Sequence, residues 1–371
     1  MTDPHLSTPT GKPRARALGI PFDGRPGPWN AITDVAGVGV GYATLIAGDG
    51  PLTIGRGPVR TGVTAILPRP AANTLQPVFA GLHSQNGNGE MTGSHMIDEV
   101  GAFTLPVTIT NTHACGIARD ATIRWVNRVQ PGGLDDAWGL PVAAETYDGE
   151  LNDINGFHVT AEHTVAALDG ARGGPVALGS VGGGTGMICY DFKGGNGSAS
   201  RVVTIARARY TLGVFLQANF GAREQLTILG VPVGRHITRD KLRNKDQGSI
   251  IVLVATDAPL LAHQLKRVAR RVPMGLARTG TVGNNGSGDI FLAFSTANAA
   301  AFAAQGAGAR SMDGLPNRSL DPLFNATVEA VEEAVIDAML VNRTMVGRDG
   351  NRSIALPHDE VLALMRRWGR I

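Results

Sequence analysis

The sequence predicts a layered fold mixing strands and helices, α/β or α+β, on three observations. Short β-branched or alternating runs bounded by Gly, Pro and Asn recur through both halves of the chain. Apolar stripes at helical spacing separate several of them, most clearly over 326–345. No repeat with a period of about 20–50 residues is visible, which argues against solenoids and propellers.

Taken in order, residues 1–16 are polar and proline-bearing and read as a mobile arm. Residues 32–41 (ITDVAGVGVG) read as a turn entering a strand, and 61–67 as a second strand stopped by Pro68. A third, 77–82, runs into the Gly/Asn-rich loop 83–93 (HSQNGNGEMTG), and a fourth covers 106–110. Ile117, Ala121, Ile123, Val126 and Val129 then mark a helix over 117–129. Residues 141–147 are an apolar run ending in a carboxylate, Glu145, and a phenol, Tyr147. Thr160 caps a helix reaching Leu168. Segments 202–205, 211–219 and 226–233 read as a meander of three strands. Residues 250–255 are short, apolar and β-branched, the mark of a strand buried on both faces. Asp257 as N-cap and Pro259 in the first turn begin a helix to Val272, with Leu261, Leu265, Val268 and Val272 on one stripe. A Gly-rich loop (280–288) leads to a strand over 289–295, and 297–322 is irregular. Helices over 326–345 and 359–368 close the chain.

With 371 residues, 43% of them hydrophobic, the chain can bury a substantial core. No charged or Pro/Ser-rich linker divides it, so residues 17–371 read as a single domain. A net charge of +3 is too weak to indicate nucleic acid, and Lys266, Arg267, Arg270 and Arg271 read as the solvated face of a helix. No apolar stretch approaches the roughly 18 residues of a membrane span, and residues 1–16 lack a signal peptide's apolar region. A cytoplasmic protein is the expectation. Cys115 and Cys189 are buried thiols or one disulfide, not a scaffold. His83, His95, His113, His158 and His163 show no metal-binding spacing, so neither metal nor organic cofactor is expected. GGGTG (182–186) is not followed by Gly-Lys-Ser/Thr and reads as a close-packed turn rather than a phosphate loop.

The chemistry centres on Gly248-Ser249 at the mouth of the 250–255 strand. A rigid strand end holds a hydroxyl firmly, as a nucleophile requires. Scission between Gly248 and Ser249 would also give the serine a free α-amine, a base beside its own hydroxyl. An ordinary Gly-Ser turn is the plainer alternative. Ser287 and Asp289 stand two residues apart where another strand begins, so alternation puts both on one face. A carboxylate there needs a cationic partner, which the α-amine of Ser249 would be; a turn cap is the alternative. Glu145 and Tyr147 share the same spacing: the carboxylate could pair with a substrate ammonium and the phenol donate to an oxyanion. Asn219, ending the 211–219 strand, is a candidate amide donor to that oxyanion or a turn residue.

Seven motifs, in order, cover nearly the whole chain beyond residue 16: NAITDVAGVGVG (30–41), NGNGEMTG (86–93), AETYDGELNDING (144–156), GGGTGM (182–187), GSIIVLVATDAPL (248–260), HQLKRVARR (263–271) and NNGSGDIF (284–291). Together they resemble the DmpA family of self-processing hydrolases, which holds L-aminopeptidase/D-amino-acid esterase-amidases and β-peptidyl aminopeptidases. The resemblance implies a four-layer αββα sandwich of the α+β class, similar to N-terminal nucleophile hydrolases but differently connected. It implies cleavage before Ser249 into an α chain (1–248) and a β chain (249–371), assembled as a tetramer of αβ units. Carried over by position, Ser249 is the nucleophile, Ser287 and Asp289 assist it, Tyr147 and Asn219 stabilise the oxyanion, and Glu145 receives the substrate ammonium. The implied substrates are short peptides, amides or esters with a free amine. Asp289 stands where some β-peptidyl members carry Glu, and Gln247-Gly248 before the serine fits the other branch, which tilts the expectation towards the L-aminopeptidase/D-esterase-amidase side. The loops 99–105 and 297–322 bear on the pocket's shape. A non-catalytic binding protein on this fold is the remaining alternative.

Overall fold

The structure, a computed structural model, describes residues 3–243, 248–303 and 308–371. In chain order its strands are β1 (Gly39–Ala47), β2 (Val59–Leu67), β3 (Val78–Gly87), β4 (Ala102–Phe103), β5 (Val107–Asn111), β6 (Val142–Thr146), β7 (Ile188–Cys189), β8 (Phe192–Lys193), β9 (Gly195–Ile205), β10 (Ala208–Asn219), β11 (Ser249–Thr256) and β12 (Gly288–Ser295). Two residue pairs after these, 345–346 and 352–353, make a small ladder. The helices are α1 (Ser94–Val100), α2 (Cys115–Val129), α3 (Ala161–Asp169), α4 (Val233–His236), α5 (Ala262–Ala269), α6 (Val272–Arg278), α7 (Ala299–Ala303), α8 (Asp321–Leu340) and α9 (His358–Arg367).

Two sheets form the centre. One runs β1-β2-β5-β6 and the other β4-β3-β12-β11-β10-β9. Pairing is antiparallel except for β5/β6 and β11/β12. Strand alternation assigns each face. In β11, Ile251, Leu253 and Ala255 pack between the sheets with Phe215, Leu292, Ile66, Ile109 and Ala144. Its other residues, Ile250, Val252 and Val254, face a layer that includes Leu265, Val268, Leu276, Val331 and Val335 of α5, α6 and α8. On the far side, Val63, Ala65 and Leu67 of β2 meet Trp125 and Val126 of α2 and Ala167 and Leu168 of α3. The layering is therefore αββα, in the α+β class.

Several elements differ from the sequence expectation for local physical reasons. Residues 226–233 are not a strand: Leu229 and Gly230 take positive φ, and Pro232 leads into α4. Leu226, Ile228, Val231 and Val233 are apolar because the loop itself plugs the core. The helix expected to end at Val272 breaks after Ala269 and restarts as α6, with Pro273 in its first turn. The last long helix spans Asp321–Leu340, starting and ending about a turn earlier than its stripe suggested. The 182–186 turn is close-packed, with Gly182, Gly183 and Gly184 fully buried between the sheets. Cys115 and Cys189 are both buried thiols, not a disulfide.

The segment expected as a mobile arm is docked instead. Arg14 is buried, donating from Nε to Asp337 Oδ2 at 2.7 Å and from a terminal nitrogen to Ser198 O at 2.8 Å. Arg16 and Arg201 both bind Glu333. Buried charges hold only when paired and hydrogen-bonded, so Arg14 and Arg16 owe their place to ion pairing into α8 rather than to solvation.

Candidate active site

Ser249 opens β11 on the inter-sheet face, the one shared with Ile251 and Leu253. Its exposure is only 3%. Opposite it in the ladder stands Asn219, the last residue of β10, and on the other side Gly288, the first of β12. The backbone N–H of Tyr147, just beyond β6, donates to Ser249 Oγ at 3.4 Å. Asn219 Nδ2 donates to Tyr147 O at 2.8 Å, while its Oδ1 accepts from Ile188 N–H at 2.8 Å and from Arg243 at 3.0 Å. A primary amide carries two N–H bonds, so Asn219, the ladder partner of Ser249, has a second one beyond that given to Tyr147. The hydroxyl thus lies where both sheets end, among donors fixed by strand register.

Gly288 N–H donates to Gly248 O at 3.1 Å, so the carbonyl of the Gly248–Ser249 bond already has a backbone donor. Gly288 has no room for a side chain: a Cβ there would lie 2.3 Å from Asn88 O. On either side of it stand Ser287 and Asp289. Ser287 Oγ donates to Asp289 Oδ1 at 2.5 Å, and Asn86 Nδ2 to Asp289 Oδ2 at 3.4 Å. The i, i+2 spacing has joined this pair as expected, and register sets it beside the 248–249 bond. Residues 244–247, including Gln247, lie outside the described residues.

Glu145 is buried in β6. It accepts from Glu90 N–H at 2.8 Å and from the Thr112 hydroxyl. Gly89 lies between it and β12: a Cβ on Gly89 would be 3.2 Å from Glu145 Oε1 and 3.4 Å from Gly288 Cα. Burial raises the Glu145 carboxyl above the usual glutamate range, against the opposing pull of those hydrogen bonds and of His113. The site therefore holds a desolvated carboxylate that a cation would stabilise. The Tyr147 side chain differs from expectation. Its backbone, not its phenol, reaches Ser249; the ring is 38% exposed and its hydroxyl folds back over Gly149. Burial, and then Glu150, raise the phenol further.

Sequence reasoning missed several neighbours. Arg243 and Glu150 pair at 2.9 Å beside Asn219; they lie far apart in sequence, and no spacing connects them. Asp148 is fully buried, and burial pushes it up to about 7. Thr112 lies between the strand and helix expected at 106–110 and 117–129, and Gly288 ends the 280–288 loop, so neither carries a signal of its own in the sequence. Among the described residues no group of three or more His, Cys, Asp or Glu could hold a metal ion, and no helix is long and apolar enough to cross a membrane.

A strand-end serine among preorganised donors, at the open end of an αββα sandwich, defines a hydrolase of the N-terminal nucleophile type. The family model of peptidase family S58 matches residues 30–353. The chain belongs to peptidase family S58, the serine aminopeptidases of DmpA type. It is 49% identical to the β-peptidyl aminopeptidase BapA of Sphingosinicella microcystinivorans, over 97% of this chain and 93% of that protein. Among solved structures, the L-aminopeptidase D-Ala-esterase/amidase of Ochrobactrum anthropi superposes with a TM-score of 0.92 at 50% identity, covering 97% of this chain and 99% of that one. That enzyme is described as a prototype of the serine aminopeptidases and a new variant of the Ntn hydrolase fold. The β-aminopeptidase of a Burkholderia species gives 0.86 at 45% identity, over 96% and 99% of the two chains.

Proposed function

We propose that the chain cuts itself between Gly248 and Ser249 and then works as an aminopeptidase with Ser249 as its N-terminal nucleophile. The observation that carries this is the placement of Ser249: a buried first strand residue whose Oγ meets Tyr147 N–H while the preceding carbonyl is held by Gly288 N–H. In turnover Ser249 Oγ attacks the substrate carbonyl, and the freed α-amine takes the hydroxyl proton and passes it to the leaving group. Water then hydrolyses the acyl-enzyme. Asn219 and Tyr147 receive the oxyanion. Asp289 and Ser287 assist from the neighbouring strand, and Glu145 pairs with the substrate ammonium. Substrates on this reading are short peptides, amides and esters with a free amine.

Between the two branches, Asp289 in place of a longer carboxylate favours α-amino acyl groups, whereas the 49% identity to a β-peptidyl aminopeptidase favours β-amino acyl groups. Comparing kcat/KM for the p-nitroanilides of L-Ala and β-Ala separates them. The cut fragments assemble as a tetramer on this reading, which light scattering tests. Self-processing is tested by intact mass under denaturing conditions. Two species split at Gly248/Ser249 are expected, and a lone 38.7 kDa chain in Ser249→Ala. Full activity of Ser249→Ala would sink the scheme.

A further inference from the structure

We propose that Arg243 is the positioning residue of the Asn219 amide, and that the segment carrying it stays docked in the site after the chain is cut. The proposal rests on the self-processing reading above. Arg243 lies five residues before Gly248, yet its side chain is only 7% exposed. Its Nε stands 2.9 Å from Glu150 Oε1, and one terminal nitrogen donates to Asn219 Oδ1 at 3.0 Å. The other donates to Ile188 O at 3.4 Å. The backbone is anchored too: the N–H groups of Leu242 and Arg243 both donate to Asp191 Oδ1 at 3.0 Å.

The two ends of an Asn amide are nearly equal in shape, and surrounding hydrogen bonds decide which end points where. Asn219 is useful to an oxyanion only if its NH2 faces Ser249. Ile188 N–H and the Arg243 guanidinium both donate to Oδ1; a flipped amide would set an NH2 group against a cation and an N–H. Charge makes the arginine bond the stronger of the two. Glu150 in turn balances the cation and holds it in place.

The partners just named for Leu242 and Arg243, Asp191, Glu150, Asn219 and Ile188, all precede residue 249. None of these contacts crosses the Gly248–Ser249 bond, so scission leaves them intact. Arg243, close to the new C-terminus, is thereby a working part of the mature site.

The test compares Arg243→Met, Arg243→Lys and the Arg243→Met/Glu150→Gln double variant with the wild-type enzyme. Intact mass follows self-cleavage, and kcat and KM are read on a free-amine p-nitroanilide. Because loss of one oxyanion donor costs roughly 100–1,000-fold in kcat, a disordered Asn219 in Arg243→Met should cost a sizeable part of that, about 10–100-fold. KM should hold within about twofold, since Glu145 is untouched. Arg243→Lys should recover part of kcat. The double variant should remain slow; recovery there would trace the loss to an unpaired Glu150 and overturn the proposal, as would wild-type kcat in Arg243→Met. Should the variants fail to fold, carboxypeptidase digestion of the processed wild-type enzyme decides: the tail should resist at Arg243, and trimming past it at constant kcat would refute the idea. Activity or self-cleavage in Ser249→Ala would instead defeat the underlying reading, whatever the arginine variants do.

Discussion

Ser249 and Asn219 face each other as the final register partners of the β10/β11 ladder, the serine's Oγ and the asparagine's Nδ2 both linked to Tyr147 through its backbone N–H and C=O. Tyr147 thus ties the two side chains together from the other sheet. Asn219→Ala should lower kcat by about 100–1,000-fold with little change in KM, since an oxyanion donor acts in the transition state. Steady-state kinetics on a free-amine p-nitroanilide checks this; a rise in KM alone would assign Asn219 to substrate binding.

Glu145 makes a pH prediction. Its carboxyl titrates above the ordinary glutamate range because it is buried. As pH falls through that raised value the site loses its charge, so KM for free-amine substrates should rise at a pH where an exposed glutamate would still be ionised. An N-formylated ester should show no such rise. Glu145→Gln should abolish the difference between the two substrates.

Gly288→Ala tests the carbonyl donor. A Cβ 2.3 Å from Asn88 O forces either β12 or the 86–93 loop to move, taking the Gly288 N–H away from Gly248 O. Self-cleavage should stop or slow at least tenfold, read as persistence of the 38.7 kDa precursor by mass. Cleavage at the wild-type rate would exclude Gly288 N–H as the donor.

Asp148 should make the protein less stable as pH rises. Its folded pKa is raised to about 7 by burial, above the unfolded value of about 4. The folded state therefore holds a proton that the unfolded state has released, and stability falls across that window. Asp148→Asn should raise Tm at pH 8 and change it little at pH 4. An equal shift at both would rule out ionisation as the cause.

The N-terminal segment should matter to stability. Arg14→Ala strands Asp337 without its cation in a fully buried site, and breaking a buried pair this way costs about 3–5 kcal/mol. Chemical denaturation should register that loss. A change below about 0.5 kcal/mol, the usual limit for a surface substitution, would mean that the segment is not docked in solution.

Local periodicity made part of this site legible. The β-branched run after Ser249 and the i, i+2 pair Ser287/Asp289 are short-range patterns that the structure keeps. Tyr147, by contrast, lies past the end of β6, and its phenol leaves the face of Glu145. What escaped was non-local or contrary to composition. The start of β9, GNGSAS, looks like a loop but is buried, because Ser198, Ser200 and Asn196 find hydrogen-bond partners inside the fold. Glu333 and Asp337 sit on a buried face of α8 because arginines from elsewhere neutralise them. Arg243 and Glu150 lie far apart in the chain, and only the folded chain reveals the pair.

The position of β11 has a consequence for the life history of the molecule. β11 hydrogen-bonds on one side to β10, which lies before the cut, and on the other to β12, which lies after it. If the chain is cut as proposed, two antiparallel ladders within one sheet, β10/β11 and β12/β3, join the fragments, with all eight β11 residues buried. Neither fragment can close that sheet alone, and two separated pieces must find each other by diffusion, where one covalent chain needed only to fold. On the proposed self-processing, the precursor carries assembly instructions that its product has discarded. Once unfolded and dispersed, the mature enzyme should recover far less activity than a refolded Ser249→Ala precursor recovers native structure.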